Sequence, residues 1–132
     1  MTQTPFHDLD AYLALPRLNG LALSPDGTRL ATVVATLDPT KTSYVNAVWE
    51  IDPAGEAPAR RVTRSSKGEA GIAYSPDNDL YFVSARPDPD AKAGDDPTGA
   101  LWVLPAAGGE ARTLVARAGG VDGRGCGCRG RR

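Results

Sequence analysis

The chain has 132 residues, 41% of them hydrophobic, with 15 Lys and Arg against 16 Asp and Glu, enough for one ordinary domain with a modest core. Residues 124 to 132 hold four arginines and no acid, so residues 1 to 123 carry 11 bases against 16 acids, a net of −5, which argues against nucleic acid as a partner. No run approaches the roughly 20 apolar residues of a membrane-spanning helix, and Met1 to Asp8 lack the basic and apolar regions of a signal peptide, so a cytoplasmic location without a membrane partner is expected.

In chain order, residues 1–17 form a leading segment with one short helix. Asp8 is its candidate cap, Leu9, Tyr12 and Leu13 have helical spacing, and Pro16 limits its end. Such a helix lies on the surface against the rest of the domain. Fifteen Gly and 11 Pro exceed typical usage of about 7% and 5%, so turns dominate the remainder of the chain.

From residue 18 the chain repeats itself. Leu23-Ser24-Pro25-Asp26-Gly27 returns as Tyr74-Ser75-Pro76-Asp77-Asn78, and Pro25 to Pro76 is a step of 51. Ser-Pro-Asp-Gly is turn chemistry, since Pro fixes φ, Asp bonds its own backbone and Gly takes positive φ. Asn78, at the Gly27 position, is the next-best residue for that conformation. A small apolar run precedes each turn, Gly20-Leu21-Ala22 and Gly71-Ile72-Ala73. A strand-like run comes after each, Arg29 to Ala35 and Asp79 to Ser84. Leu30 to Leu37 is apolar or Thr on both faces, as a strand covered on both sides requires.

A tryptophan strand comes next, Ala47 to Ile51 and then Ala100 to Leu104, with a step of 53 from Trp49 to Trp102. The two extra residues of the second copy are expected in its longer acidic loop, Arg86 to Gly99, because length variation belongs in loops. Trp49 with Ile51, and Trp102 with Leu104, share a face by the period of two, and both tryptophans are expected in the core between units. A Gly-Glu-Ala turn at Gly55 and Gly109 leads into Arg61-Val62-Thr63 and Thr113-Leu114-Val115. Four antiparallel strands per unit of about 40–50 residues is the signature of a propeller blade. The fold class is therefore all-β, a β-propeller fragment of two four-stranded antiparallel blades behind a short N-terminal helix. Blade 1 spans 18–65, blade 2 spans 66–117, and 118–132 begins a third blade before passing into a Gly/Arg/Cys tail.

The leading Asp8-Leu9-Asp10-Ala11-Tyr12-Leu13 and the later Leu21-Ala22-Leu23-Ser24-Pro25-Asp26-Gly27-Thr28-Arg29-Leu30-Ala31 resemble the start of bacterial prolyl-oligopeptidase-family serine peptidases, in their acylaminoacyl-peptidase and dipeptidyl-aminopeptidase branch. The resemblance covers residues 6 to about 120. It implies a propeller of seven or eight blades capping a C-terminal α/β-hydrolase domain, which carries a Ser-Asp-His triad and takes peptide substrates. Ser-Pro-Asp-Gly blades also occur in TolB-type and other propellers that serve as non-enzymatic interaction modules, and that alternative stays open. A hydrolase domain downstream, in the full-length parent, separates the two.

No catalytic, cofactor-binding or metal-binding residue is expected within the chain. The nucleophile elbow Gly-x-Ser-x-Gly does not occur. The sole histidine, His7, sits in the leading segment and reads as a surface residue rather than a general base. In the acidic run Asp88-Pro89-Asp90-Ala91-Lys92-Ala93-Gly94-Asp95-Asp96, Lys92 and Ala93 occupy the fifth and sixth positions, where a calcium loop needs an oxygen ligand and a glycine. Cys126 and Cys128 fall two ligands short of a structural zinc site. From Gly123 the apolar pattern gives way to Gly, Arg and Cys, a composition expected of a GC-rich gene read out of frame. Two blades cannot close a ring that needs four to eight, so apolar faces are expected to lie open and to drive association.

Overall fold

The computed structural model describes residues 4–88 and 99–116. A 3₁₀ turn, Pro5–His7, leads into helix α1, Leu9–Leu13. Eight strands come after it: β1 Arg17–Leu23, β2 Leu30–Leu37, β3 Tyr44–Ile51, β4 Arg60–Arg61, β5 Glu69–Tyr74, β6 Leu80–Ser84, β7 Ala100–Leu104 and β8 Arg112–Val115. They form two four-stranded antiparallel meanders, sheet 1 in the order β1-β2-β3-β4 and sheet 2 in the order β5-β6-β7-β8. The all-β reading with two four-stranded units stands. Among the described residues, no helix is long and apolar enough to cross a membrane.

The leading segment behaves as its residues dictate. Asp8 caps α1 by accepting from the Asp10 backbone N–H at 3.0 Å. None of its residues is buried, and its attachment to the sheets is local. The Tyr44 hydroxyl donates to the Leu13 carbonyl at 2.8 Å, and the Arg17 guanidinium lies 4.6 Å over the Tyr44 ring, a cation–π contact.

Both Ser-Pro-Asp turns close in the same way. The Ser24 N–H donates to the Arg29 carbonyl and the Ser75 N–H to the Asp79 carbonyl, each at 2.8 Å. Gly27 and Asn78 hold positive φ, 74° and 64°, which glycine and asparagine tolerate best. The second turn is one residue shorter, since Arg29 and Asp79 are its matching ends. The step from Leu30 to Leu80 is therefore 50, while that from Trp49 to Trp102 is 53. Three extra residues thus enter between the second and third strands of sheet 2, and one is lost at its turn.

The inner strands repeat a further device. The β1–β2 register slips between Asn19 and Leu21, and the β5–β6 register slips between Ala70 and Ala73. Gly20 and Gly71 sit at these slips with φ of 72° and 59°. Each is a β-bulge built on a glycine in the left-handed region, and each bends its strand and increases its twist.

The registers define two faces on each sheet. On sheet 1, Leu18, Leu21 and Leu23 lie opposite Val34, Thr32 and Leu30, which pair onward with Ala47, Trp49 and Ile51. These make its leading face. Ala31, Val33 and Ala35, with Val48 and Glu50, make its trailing face. On sheet 2 the leading face holds Tyr74, Leu80, Phe82, Trp102 and Leu104, and the trailing face holds Tyr81, Val83, Leu101 and Val103. The core forms where the leading face of sheet 2 meets the trailing face of sheet 1. Ala31 and Val48 pack there with Leu80, Phe82, Ala100 and Trp102, all buried, flanked by Ile72, Tyr74, Leu104 and Ala111.

Two expectations need revision. Trp102 is buried in this core at 3% exposure, but Trp49 is half-buried and lies on the uncovered leading face of sheet 1. Among the described residues, no second sheet lies against it. The strand expected at Arg61-Val62-Thr63 is only Arg60–Arg61, because Val62 and Thr63 both turn their N–H groups to the single carbonyl of Val48 and end the ladder.

Candidate functional site

Two polar arrangements and one apolar face stand out. The first arrangement binds the sheets together from the middle of the stack. The Val48 N–H donates to the Thr63 hydroxyl oxygen at 2.9 Å, and that hydroxyl donates to Glu69 Oε2 at 2.7 Å. A single threonine therefore links β3 of sheet 1 to β5 of sheet 2. Glu69 is 1% exposed, and burial pushes its carboxyl above the usual range against the Thr63 hydrogen bond and the charges of Arg86 and Arg61. Beside it, Arg86 lies 4.0 Å over the Trp102 ring and 5.1 Å over Phe82. Burial lowers the Arg86 guanidinium, opposed by the charge of Glu69.

This seam opens to a cleft of about 470 Å³, with Thr63, Arg86, Trp102 and Glu110 among its walls. Of its lining, Arg86 Nε and Nη2 and Trp102 Nε1 are buried without a hydrogen-bond partner, as is Glu69 Oε1 in the seam. A smaller recess of about 300 Å³ lies between the two glycine bulges, walled by Asn19, Gly20, Asn46 and Gly71.

The second arrangement sits at the turn end of the stack. Arg29 donates through Nε and Nη2 to Glu50 Oε2, at 3.0 and 2.6 Å, and through Nη1 to the Asn78 carbonyl at 3.2 Å. Its guanidinium also lies 5.5 Å over the Tyr74 ring. One side chain thus spans from β3 of sheet 1 to the turn of sheet 2. Burial raises the Glu50 carboxyl, but the hydrogen bonds and charges of Arg29 and then Arg60 outweigh it and leave Glu50 below its usual range. The clamp is not repeated, because Asp79 stands where Arg29 would be and instead accepts from the Ala106 N–H at 2.8 Å.

The apolar face is the leading face of sheet 1. Leu18, Leu21 and Leu23 are 66%, 66% and 57% exposed, beside half-buried Leu30, Trp49 and Ile51. The matching residues 51 positions on, Glu69, Ile72 and Tyr74, are covered by sheet 1. Contiguous exposed apolar surface of this kind marks an interaction site.

None of these places assembles a nucleophile with a general base. The serines of the turns are structural: the Ser24 hydroxyl donates to Asp26 Oδ1 at 2.6 Å and accepts from the Arg29 N–H, and the Ser75 hydroxyl oxygen accepts from Asp77 and Asp79 N–H. Ser84 donates to the Gly68 carbonyl. His7 lies exposed in the leading 3₁₀ turn. Among the described residues, no group of three or more His, Cys, Asp or Glu is placed to hold a metal. The acidic run beyond Asp88, both cysteines and all of 118–132 lie outside the described residues.

Sequence reasoning passed over Glu69, Arg86, Arg29 and Glu50. Only Glu69 had a signal: in the repeat it aligns with Leu18, so an acid stands where the other copy has a leucine. A scan against protein-family models finds no match to this chain, and a search of curated proteins finds none either.

Proposed function

We propose that the chain supplies the first two blades of a β-propeller that covers a serine-type peptidase domain of the prolyl-oligopeptidase kind. In this reading the chain carries no catalytic group. Its role is steric: a closed ring over the active site admits short peptides and excludes folded proteins. The observation that supports a propeller is the stacking itself. One unit's leading face lies on the other's trailing face, and the two bulged inner strands, β1 and β5, lie side by side. That arrangement propagates by adding units and closes when four to eight surround an axis. The peptidase half of the reading rests on the resemblance of residues 8–13 and 21–31, a likeness of sequence and not of a site.

The decisive experiment reads the two other frames of the gene downstream of Gly123. Further Ser-Pro-Asp-Gly units and then a Gly-x-Ser-x-Gly elbow are expected. Blades without an elbow would leave a non-enzymatic propeller, and neither feature would end the reading altogether.

A further inference from the structure

We propose that the 132-residue chain associates with copies of itself, head to tail, the trailing face of sheet 2 in one copy covering the leading face of sheet 1 in the next. The contact between the two sheets of one molecule is already of this kind. It pairs a leading face with a trailing face, through Phe82, Trp102 and Leu80 against Ala31 and Val48. Among the described residues, no second sheet lies on the leading face of sheet 1 or on the trailing face of sheet 2. The leading face exposes Leu18, Leu21 and Leu23, and the trailing face carries half-buried Tyr81, Val83 and Leu101 around buried Val103, with Val115 39% exposed beside Leu101.

Unlike faces make a heterologous contact, which must either close into a ring or continue as a filament. Each copy contributes two sheets, so rings of four, six or eight sheets correspond to two, three or four copies. Two leading faces would not fit each other in this manner. The leucines of β1 would project from both, whereas the internal junction sets a leading face against a trailing one; at the outgoing trailing face Tyr81 and Leu101 stand where Ala31 and Val48 stand inside. The contact is mainly apolar, since the Arg29 clamp that reinforces the internal junction has Asp79 in its place at the outgoing one. Stacking alone supports this association, independently of any peptidase.

The test is a mixing experiment on the full chain, read by light scattering after size exclusion. Wild type is expected at an integer multiple of its 13.8 kDa mass. Leu21→Asp blocks the leading face and Val115→Asp the trailing face, so each variant alone is expected to be monomeric. Mixed, they have one compatible pair of faces left and are expected to form a 1:1 dimer and nothing larger. Far-UV circular dichroism checks that each variant keeps its strands. Leu18→Asp and Leu101→Asp, on the same two faces, replace any variant that does not. A monomeric wild type, association of either variant alone, or a mixture that stays monomeric would overturn the proposal.

Discussion

The two sheets are the same structure in different surroundings. Strand order, turn closure, bulge position and tryptophan placement recur, yet Trp102 is buried where Trp49, with no second sheet against it among the described residues, is only half-buried. Among the described residues, sheet 1 lends its trailing face to sheet 2 and receives no sheet in return on its leading face. The contrast separates what a unit does for itself, through backbone pairing and turns, from what it needs from a neighbour, which is burial.

Truncating the two tryptophans breaks the comparison most sharply. Trp102→Ala is expected to destabilise the chain by about 3–5 kcal/mol, the usual cost of emptying a buried aromatic site. Trp49→Ala should cost less than half of that. Denaturant titration of both variants checks it, and equal losses would mean that the two faces are equally covered. Should copies associate as proposed, the gap narrows with concentration, because the neighbour's trailing face then covers Trp49.

Removing the junction clamp comes next in size. Arg29→Ala takes away two hydrogen bonds to Glu50 and one to Asn78, and charge-assisted bonds on partly exposed groups put the loss at about 1–2 kcal/mol. The matching substitution Asp79→Ala touches only sheet 2 and should cost less. Changing the bulge glycines, by contrast, probes what is common to both units. Gly20→Ala meets no atom within 4 Å, so its cost is conformational alone, about 1 kcal/mol for a left-handed residue. A loss well above that would show that sheet 1 packs more tightly at β1 than its exposed leucines indicate.

The smallest effect is a change in slope with pH. Glu69 has its carboxyl raised by burial from the ordinary value of 4.5, so the folded state holds its proton more tightly than the unfolded state does. Its contribution is fully present below about pH 4.5 and is lost as pH rises through the raised value. Glu69→Gln should remove that decline, visible as a flatter dependence of the denaturation midpoint from acid to neutral pH. The matching Leu18→Gln should leave the slope unchanged. A wild-type slope that survives Glu69→Gln would assign the decline to another group.

Much of this was legible because it is local. Turn chemistry at Ser24–Gly27 and Ser75–Asn78 places the hairpins and apolar runs place the strands between them, whereas the bulges at Gly20 and Gly71, which sit in runs read only as apolar, emerge from the register. The strand lengths were less so. β1 begins at Arg17 and β3 at Tyr44, ahead of the apolar runs that announce them, because cross-strand pairing continues past polar residues such as Asn19 and Asn46. The polar seam could not be read at all. Glu69 meets Thr63 and the charge of Arg86 only after β5 stacks beside β3, and Arg29 finds Asn78 across 49 positions of sequence. Spacing in one unit carries no information about contacts made with the next. The same reason explains Trp49, whose residue type predicts burial but whose position in the stack decides it.

The uneven spacing of the two copies has an evolutionary consequence. The second copy is one residue shorter at its turn and three longer in its loop, yet both copies keep the same strand order and the same pairing of their second and third strands. Selection can therefore act on a segment of about 50 residues as a single heritable part. Tandem duplication of such a segment adds a sheet that already fits its predecessor. Lineages can lengthen or shorten the array by whole parts, while mutations inside a part are judged by the neighbour that covers it.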